Sequence, residues 1–134
     1  MAKLNSYKEL IVWQRSIDLS VEVYHITKLF PREELYGLTS QFRRASNSVS
    51  LNIAEGFGRN STKSYMNFLR NAKASLDEVE SGFVLAVKLG FTEDPALIKL
   101  NSIISETMKM LVSLIKSLHL KVKSKIKKAL VEVI

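Results

Sequence analysis

Hydrophobic residues recur at helical spacing in four long segments of the chain. In the first segment two apolar stripes run side by side, and together they form a face wider than a single helix seam needs. One stripe is Leu10, Trp13, Ile17 and Tyr24, and the other is Val12, Leu19, Val23, Ile26 and Phe30. This pattern predicts a first helix with more apolar surface than one core contact would cover.

The other three segments each carry one main apolar seam. The second helix is expected from about Leu38 to Glu55. The third seam advances in alternating steps of four and three residues, which is typical of left-handed helix packing. The three seams are Leu38, Phe42, Ala45, Val49 and Ile53; Tyr65, Leu69, Ala72, Leu76, Val79, Phe83 and Ala86; and Leu97, Leu100, Ile104, Met108, Leu111, Ile115, Leu118, Val122 and Ile126.

Residues that begin and end helices separate these segments. The sequence Ser6-Tyr7-Lys8-Glu9 matches a capping box and predicts the start of the first helix. That helix is expected to stop at Phe30, because the residue before a proline avoids the α region. The other predicted boundaries are a short turn after Pro31, Gly37, Gly56, Ser61 or Thr62 as a cap, Gly90, and Asp94 as N-cap with Pro95 as first helical residue.

Short connections between four helices favour antiparallel neighbours, so the predicted fold is an all-α, antiparallel up-down-up-down four-helix bundle. The 134 residues suffice for one core, and 46% hydrophobic with 25% charged residues is a globular balance. We assign residues 1–120 to the bundle. Residues 121–134 form a lysine-rich C-terminal helical extension or tail.

The residues that most enzymes and metal sites require are scarce. The chain has no cysteine, so it offers no thiol chemistry. Glu22 and His25 form one Glu-x-x-His motif, but the second histidine, His119, follows Lys116 at that spacing, so a second motif is absent. It also has no phosphate-binding glycine loop. No apolar signal-peptide region or membrane-spanning run is apparent. We therefore expect a cytoplasmic protein that is not an enzyme, with no cofactor, metal, small-molecule substrate or membrane partner.

The formal net charge of +7 is concentrated at the C-terminal end. Residues 116–134 carry a net charge of +5, whereas residues 1–115 carry +2. The lysines responsible are Lys116, Lys121, Lys123, Lys125, Lys127 and Lys128. They can dock on phosphate, or they can simply be a solvated helix end, where lysine is favoured electrostatically.

One line of polar residues along the second helix departs from a plain bundle pattern. This polar stripe consists of Gln41, Arg44, Ser48, Asn52, Glu55 and Arg59. Three interpretations are open. The stripe can be an exposed face, a partly buried network that fixes helix register or subunit contacts, or part of a nucleic-acid surface. In the last case the candidate contacts are Arg43, Arg44, Arg59 and nearby Lys63.

Several motifs resemble the bacterial four-helix-bundle proteins encoded in intervening sequences of 23S ribosomal RNA genes. The resemblance covers about residues 7–118, so the lysine-rich end gains no support from it. The matching stretches are Val12-Trp13-Gln14, Phe30-Pro31-x-x-Glu34-x-Tyr36-Gly37-Leu38, Gln41-Phe42-Arg43-Arg44-Ala45-x-x-Ser48, Asn52-Ile53-Ala54-Glu55-Gly56-x-Gly58-Arg59 and Phe68-Leu69-x-x-Ala72-x-x-Ser75-Leu76-x-Glu78.

The resemblance implies a homopentamer with no established enzymatic activity. It also implies kinship with the nucleic-acid-binding accessory proteins of diversity-generating retroelements. We therefore expect a homo-oligomer, a pentamer, that binds RNA or another nucleic acid through Arg43, Arg44, Arg59, Lys63 and the tail residues Lys121, Lys123, Lys125, Lys127 and Lys128. The alternative is a structural or adaptor module for protein–protein interaction without nucleic-acid binding.

Overall fold

The computed structural model describes residues 3–133, and in them the chain forms four α-helices and no strand. Three short 3-10 turns precede α1, α2 and α4. The helices are α1 (Ile11–Thr27), α2 (Leu38–Phe57), α3 (Thr62–Lys88) and α4 (Ile98–Val133), and the turns are Tyr7–Glu9, Arg32–Glu34 and Asp94–Leu97. The predicted all-α four-helix fold is confirmed.

Contacts between side chains define how the helices are arranged. The Asn47 amide of α2 donates to the Tyr24 hydroxyl of α1 at 3.1 Å, and Arg43 reaches Thr27. Because the residue number falls on one helix as it rises on the other, α1 and α2 are antiparallel. The pairs Arg15–Glu106 and Glu22–Lys99 show the same relation between α1 and α4. The pairs Gln41–Glu78 and Ser48–Ser75 likewise make α2 and α3 antiparallel. Each helix therefore runs opposite to the next, in up-down-up-down order.

The predicted seams form the core. Every named seam position of α3 is fully buried except Tyr65, which is partly buried. On α4, burial of the seam ends at Leu111, and the next positions are half-buried and then exposed. At the opposite end of the bundle from the C-terminus, the ring of Phe30 packs against those of Phe42, Phe83 and Phe91.

Ser6 and Glu9 do cap a turn, but each side chain accepts from a residue one position earlier than in a true capping box, and the prediction that this motif opens α1 is wrong. The Ser6 hydroxyl accepts from the Lys8 amide at 3.1 Å, and the Glu9 carboxylate accepts from the Asn5 amide. These contacts cap the 3-10 turn Tyr7–Glu9. The backbone of Leu10 is then extended, so α1 begins only at Ile11.

Three other predicted boundaries also shift. α1 ends at Thr27, because the chain then turns through residues 28–30 to point Phe30 into the core. α2 continues two residues beyond Glu55, to Phe57. Asp94 and Pro95 lie in a 3-10 turn that makes no side-chain capping bond, and α4 begins at Ile98. The Ser61 cap of α3 is present, since its hydroxyl accepts from the Ser64 amide at 3.1 Å.

The last part of α4 runs past the other helices. We call residues 119–133 the C-terminal overhang, and all of them except Val122 are exposed. Helical phase carries through this segment, so its apolar positions Ile126 and Leu130 continue the core seam into solvent. The predicted tail also includes Ile134, which lies outside the described residues. Among residues 3–133, no helix is long and apolar enough to cross a membrane.

Candidate functional site

The polar stripe lies on the side of α2 that faces α3. Ser48 and Asn52 at its centre are half-buried, while the residues toward either end are exposed. The Asn52 amide donates to the Ser48 carbonyl oxygen at 2.8 Å, and the hydroxyls of Ser75 and Ser48 are 2.9 Å apart. Small hydroxyl side chains at this point let α2 and α3 approach closely. The middle of the stripe therefore joins two helices, and its ends are open to a ligand or a partner.

Two of the predicted nucleic-acid-binding arginines are already engaged within the chain. The guanidinium of Arg43 lies 4.5 Å from the centre of the Tyr24 ring, and its Nε donates to the Thr27 hydroxyl at 3.0 Å. Arg59 pairs with the Glu55 carboxylate at 2.9 Å and stacks 4.5 Å from the centre of the Phe68 ring. For each arginine, these contacts stabilise the fold and leave the guanidinium less available to phosphate.

Arg44 has a different environment. It makes no ion pair among the described residues, and it lies in an open groove of about 720 Å³ beside exposed apolar side chains. Tyr36 is 94% exposed there and Leu51 is 65% exposed. We call this surface, with Tyr24 and Leu35, the α1–α2 face. Apolar surface left open in this way typically marks a protein contact.

The remaining predicted cations lie near the C-terminal overhang. Lys63 is exposed in the first turn of α3. On the overhang the five lysines are exposed and share the segment with a single acidic residue, Glu132. They occupy two sides of the helix: Lys123 and Lys127 on one, and Lys121, Lys125 and Lys128 on the other. The structure thus presents these six cations to solvent near one end of the bundle.

A second groove, of about 600 Å³, lies between α3 and α4, and spacing within single helices did not predict it. Its residues come from two helices that are far apart in sequence, so only the antiparallel packing brings them together. The α3–α4 groove is lined by Arg70, Lys73, Ala74 and Asp77 of α3 and by Val112, Ile115, Lys116 and His119 of α4. Three permanent cations therefore face one carboxylate.

The described residues show little sign of a reaction centre. Among them, no three histidine, cysteine or acidic side chains cluster in a way that could hold a metal ion. Burial raises the pKa of the Tyr65 hydroxyl above its usual value, because an apolar environment disfavours the charged phenolate. Tyr65 packs edge-on against Phe57, so this hydroxyl belongs to the α2–α3 packing.

Comparisons with known proteins agree with this architecture. Residues 8–113 match the family described as 23S rRNA-intervening sequence protein. A crystal structure of a protein of unknown function from the S23 ribosomal protein family of Bacteroides thetaiotaomicron VPI-5482 superposes with a TM-score of 0.73 at 23% identity. The superposition covers 79% of this chain and 96% of that one. No curated protein matches the sequence.

Proposed function

The chain belongs to the 23S rRNA-intervening sequence protein family, and from that premise we propose that it is a non-enzymatic, cytoplasmic homo-oligomer, a pentamer, that binds RNA or another nucleic acid through basic residues. The observation that carries the binding role is the C-terminal overhang. Five of its fifteen residues are lysines, all exposed on a helix that extends from the bundle. Such a cluster of lysines, with few acidic side chains nearby, attracts the phosphate backbone of a nucleic acid.

Self-assembly is supported by the α1–α2 face. The outer stripe of α1, which includes Ile17 and Tyr24, is left partly open, and Tyr36 and Leu51 add to the exposed apolar surface beside it. Water contact with this much apolar area is unfavourable, and a second subunit would remove it. In a pentameric ring, each subunit would present this face to a different surface of its neighbour, because rings of more than two subunits are built from heterologous contacts.

The basic residues do not contribute equally to the proposed binding. The contacts already made by Arg43 and Arg59 compete with phosphate, whereas the overhang lysines have no acidic partner within 4.0 Å among the described residues. Lys63 projects from the same end of the bundle as the overhang. We therefore assign most of the affinity to the overhang and Lys63, with Arg44 contributing where it is not covered by a subunit.

The second candidate function is an assembly or adaptor module without nucleic-acid binding. The position of Arg44 favours it, since arginine beside exposed tyrosine is common at the centre of protein interfaces. An Arg44→Ala variant separates the two roles. Dissociation of the oligomer supports the structural role of Arg44, and an intact oligomer with weaker RNA binding supports the nucleic-acid role.

The test is RNA binding by the full chain and by a version truncated after Leu120, at about 50 mM and about 200 mM salt. The oligomer mass is recorded in the same samples by light scattering. A matched control replaces the five overhang lysines with glutamine, which keeps the helix length and removes only the charge. We expect salt-sensitive binding that falls similarly in the truncated and glutamine versions. An intact oligomer that binds no RNA at low salt would instead identify an assembly scaffold.

A further inference from the structure

We propose that the α3–α4 groove holds the backbone of a single-stranded nucleic acid and continues onto the overhang as one binding track. This inference rests on the proposed function and deepens it, because it identifies a further part of the binding site and the form of nucleic acid bound. None of the groove residues is among the nucleic-acid-binding candidates predicted from the sequence. Lys116 appears there only as one of the lysines at the C-terminal end of the chain.

The charges of the groove are available to a ligand. Among the described residues neither Arg70 nor Lys116 has an acidic partner within 4.0 Å, and both side chains are exposed. Arg70 makes only a long contact of 3.4 Å to the Asn67 side chain. Lys73 shares its charge with Asp77 at 3.5 Å, in an exposed pair that contributes little to stability. The groove therefore carries a net positive charge, and the charges of Arg70 and Lys116 are not neutralised by ion pairs among the described residues.

The cations of the groove are in register with those of the overhang. Lys116, Lys123 and Lys127 are spaced by seven and four residues, which places them on one side of α4 over about 16 Å. On α3, Lys63 lies seven residues before Arg70 and on the same face. Since the two helices are antiparallel, Lys63 lies toward the overhang end of the groove. The positive charge on both helices therefore extends from the groove toward the overhang.

The shape of the groove favours one strand over a duplex. Basic side chains project from both walls, so a single backbone lying in the groove can be contacted from two sides. Because packed helix axes lie about 8–10 Å apart, a duplex would rest on the rim of a groove between two helices and on the overhang instead of lying inside the groove. The apolar part of the lining is formed by Ala74, Val112 and Ile115, and the one aromatic ring among the lining residues that the structure describes is the His119 imidazole. With no phenylalanine, tyrosine or tryptophan ring in this lining to stack on bases, binding should depend little on sequence.

The experiment compares two double variants of the full-length protein that each remove two positive charges. The groove variant is Arg70→Gln with Lys116→Gln, and the control is Arg32→Gln with Lys88→Gln, two exposed cations at the opposite end of the bundle. The probe is a fluorescein-labelled single-stranded RNA of mixed sequence, titrated at several salt concentrations. Anisotropy reports the affinity, and light scattering confirms that the oligomer mass is unchanged.

We expect the groove variant to bind roughly tenfold more weakly at about 0.1 M salt, with a salt dependence lower by about 1.4 in log–log slope. The control variant should retain the binding of the unmodified protein. Exchanging the cations, as Arg70→Lys with Lys116→Arg, should restore most of the affinity. An unlabelled single strand of any sequence should displace the probe better than a duplex of the same length.

The possible negative results distinguish an error in the groove assignment from an error in the proposed function. If the unmodified protein binds the RNA and the groove and control variants bind it equally well, the groove assignment is wrong while the proposed function stands. If the duplex displaces the probe better than the single strand, the assignment to a single strand is wrong. If the unmodified protein binds no RNA at low salt, the proposed nucleic-acid function is itself contradicted.

Discussion

The α1–α2 face and the α3–α4 groove are two open surfaces of one bundle, and both contain basic residues. On the first, Arg43 is held over the Tyr24 ring and by the Thr27 hydroxyl, and exposed apolar side chains surround the cations. On the second, Arg70 and Lys116 have no acidic partner among residues 3–133, and they share the groove lining with apolar Val112 and Ile115. Among residues 3–133, the α1–α2 face therefore has one cation without an ion pair or ring contact, Arg44, set among exposed apolar side chains, whereas the groove has two.

This difference shows why a count of arginines and lysines does not locate a nucleic-acid surface. A cation that already stacks on a ring or pairs with a carboxylate must lose that contact before it binds phosphate. Exposed tyrosine and leucine side chains, in contrast, contribute most binding free energy when they are buried against another protein. The α1–α2 face is accordingly the proposed surface for assembly, and the groove and overhang are the proposed surface for nucleic-acid binding.

The largest expected effect comes from placing a charge in the α1–α2 face. Leu51→Asp should weaken self-association by about 2 kcal/mol per contact, roughly thirtyfold, because a carboxylate would be buried at the interface. Light scattering at micromolar concentration measures the loss. Val84→Asp is the control, since Val84 also lies within a helix, is 58% exposed and lines neither surface. An oligomer that survives Leu51→Asp unchanged would place the contact elsewhere.

A smaller effect is expected where α2 and α3, which each carry a wall of one surface, pack most closely. A Cβ added at Gly82 of α3 would collide with the buried Phe42 ring of α2. Gly82→Ala should therefore lower the free energy of unfolding by about 1–2 kcal/mol in urea titrations, because the helix propensity of alanine offsets part of the overpacking. At Gly58 the nearest atom to an added Cβ is 3.7 Å away, so Gly58→Ala should change stability by less than about 1 kcal/mol. Equal losses at both positions would contradict the close α2–α3 contact.

The smallest expected effect tests whether a cation that is paired within the chain binds phosphate less well than an unpaired one. Glu55→Gln removes the carboxylate that pairs with Arg59, and because the pair is exposed, stability should fall by no more than about 0.5 kcal/mol. The freed guanidinium should then raise RNA affinity about twofold to fivefold, measured by anisotropy at low salt. Glu80→Gln, which removes an exposed carboxylate of α3 that lines neither surface, is the control. Equal gains in both variants would mean that only net charge matters.

Much of the fold could be predicted from the sequence because apolar spacing records which side of each helix is buried. The seams of α2 and α3 and the continuation of α4 past Ile115 follow directly from that period. The starts of α1 and α4 were misplaced, because Ser6 and Asp94 favour a 3-10 turn as readily as the first turn of an α-helix.

The candidate site was less predictable. Spacing identifies residues that share one helix face, so it found the polar stripe and the overhang lysines. It does not show which helices are neighbours, and so Arg70 and Lys116 could not be assigned to one groove. Nor does it show that Arg43 finds Tyr24 and Thr27 on another helix. Partners of this kind depend on tertiary packing, which no period within one segment records.

The most direct test of the central claim is photo-crosslinking of the full-length protein to single-stranded RNA that contains 4-thiouridine, with the adducts mapped by mass spectrometry. The account predicts adducts on peptides from residues 63–77 and 112–128, which form the groove and the overhang. Adducts confined to residues 35–55, on the α1–α2 face, would contradict it.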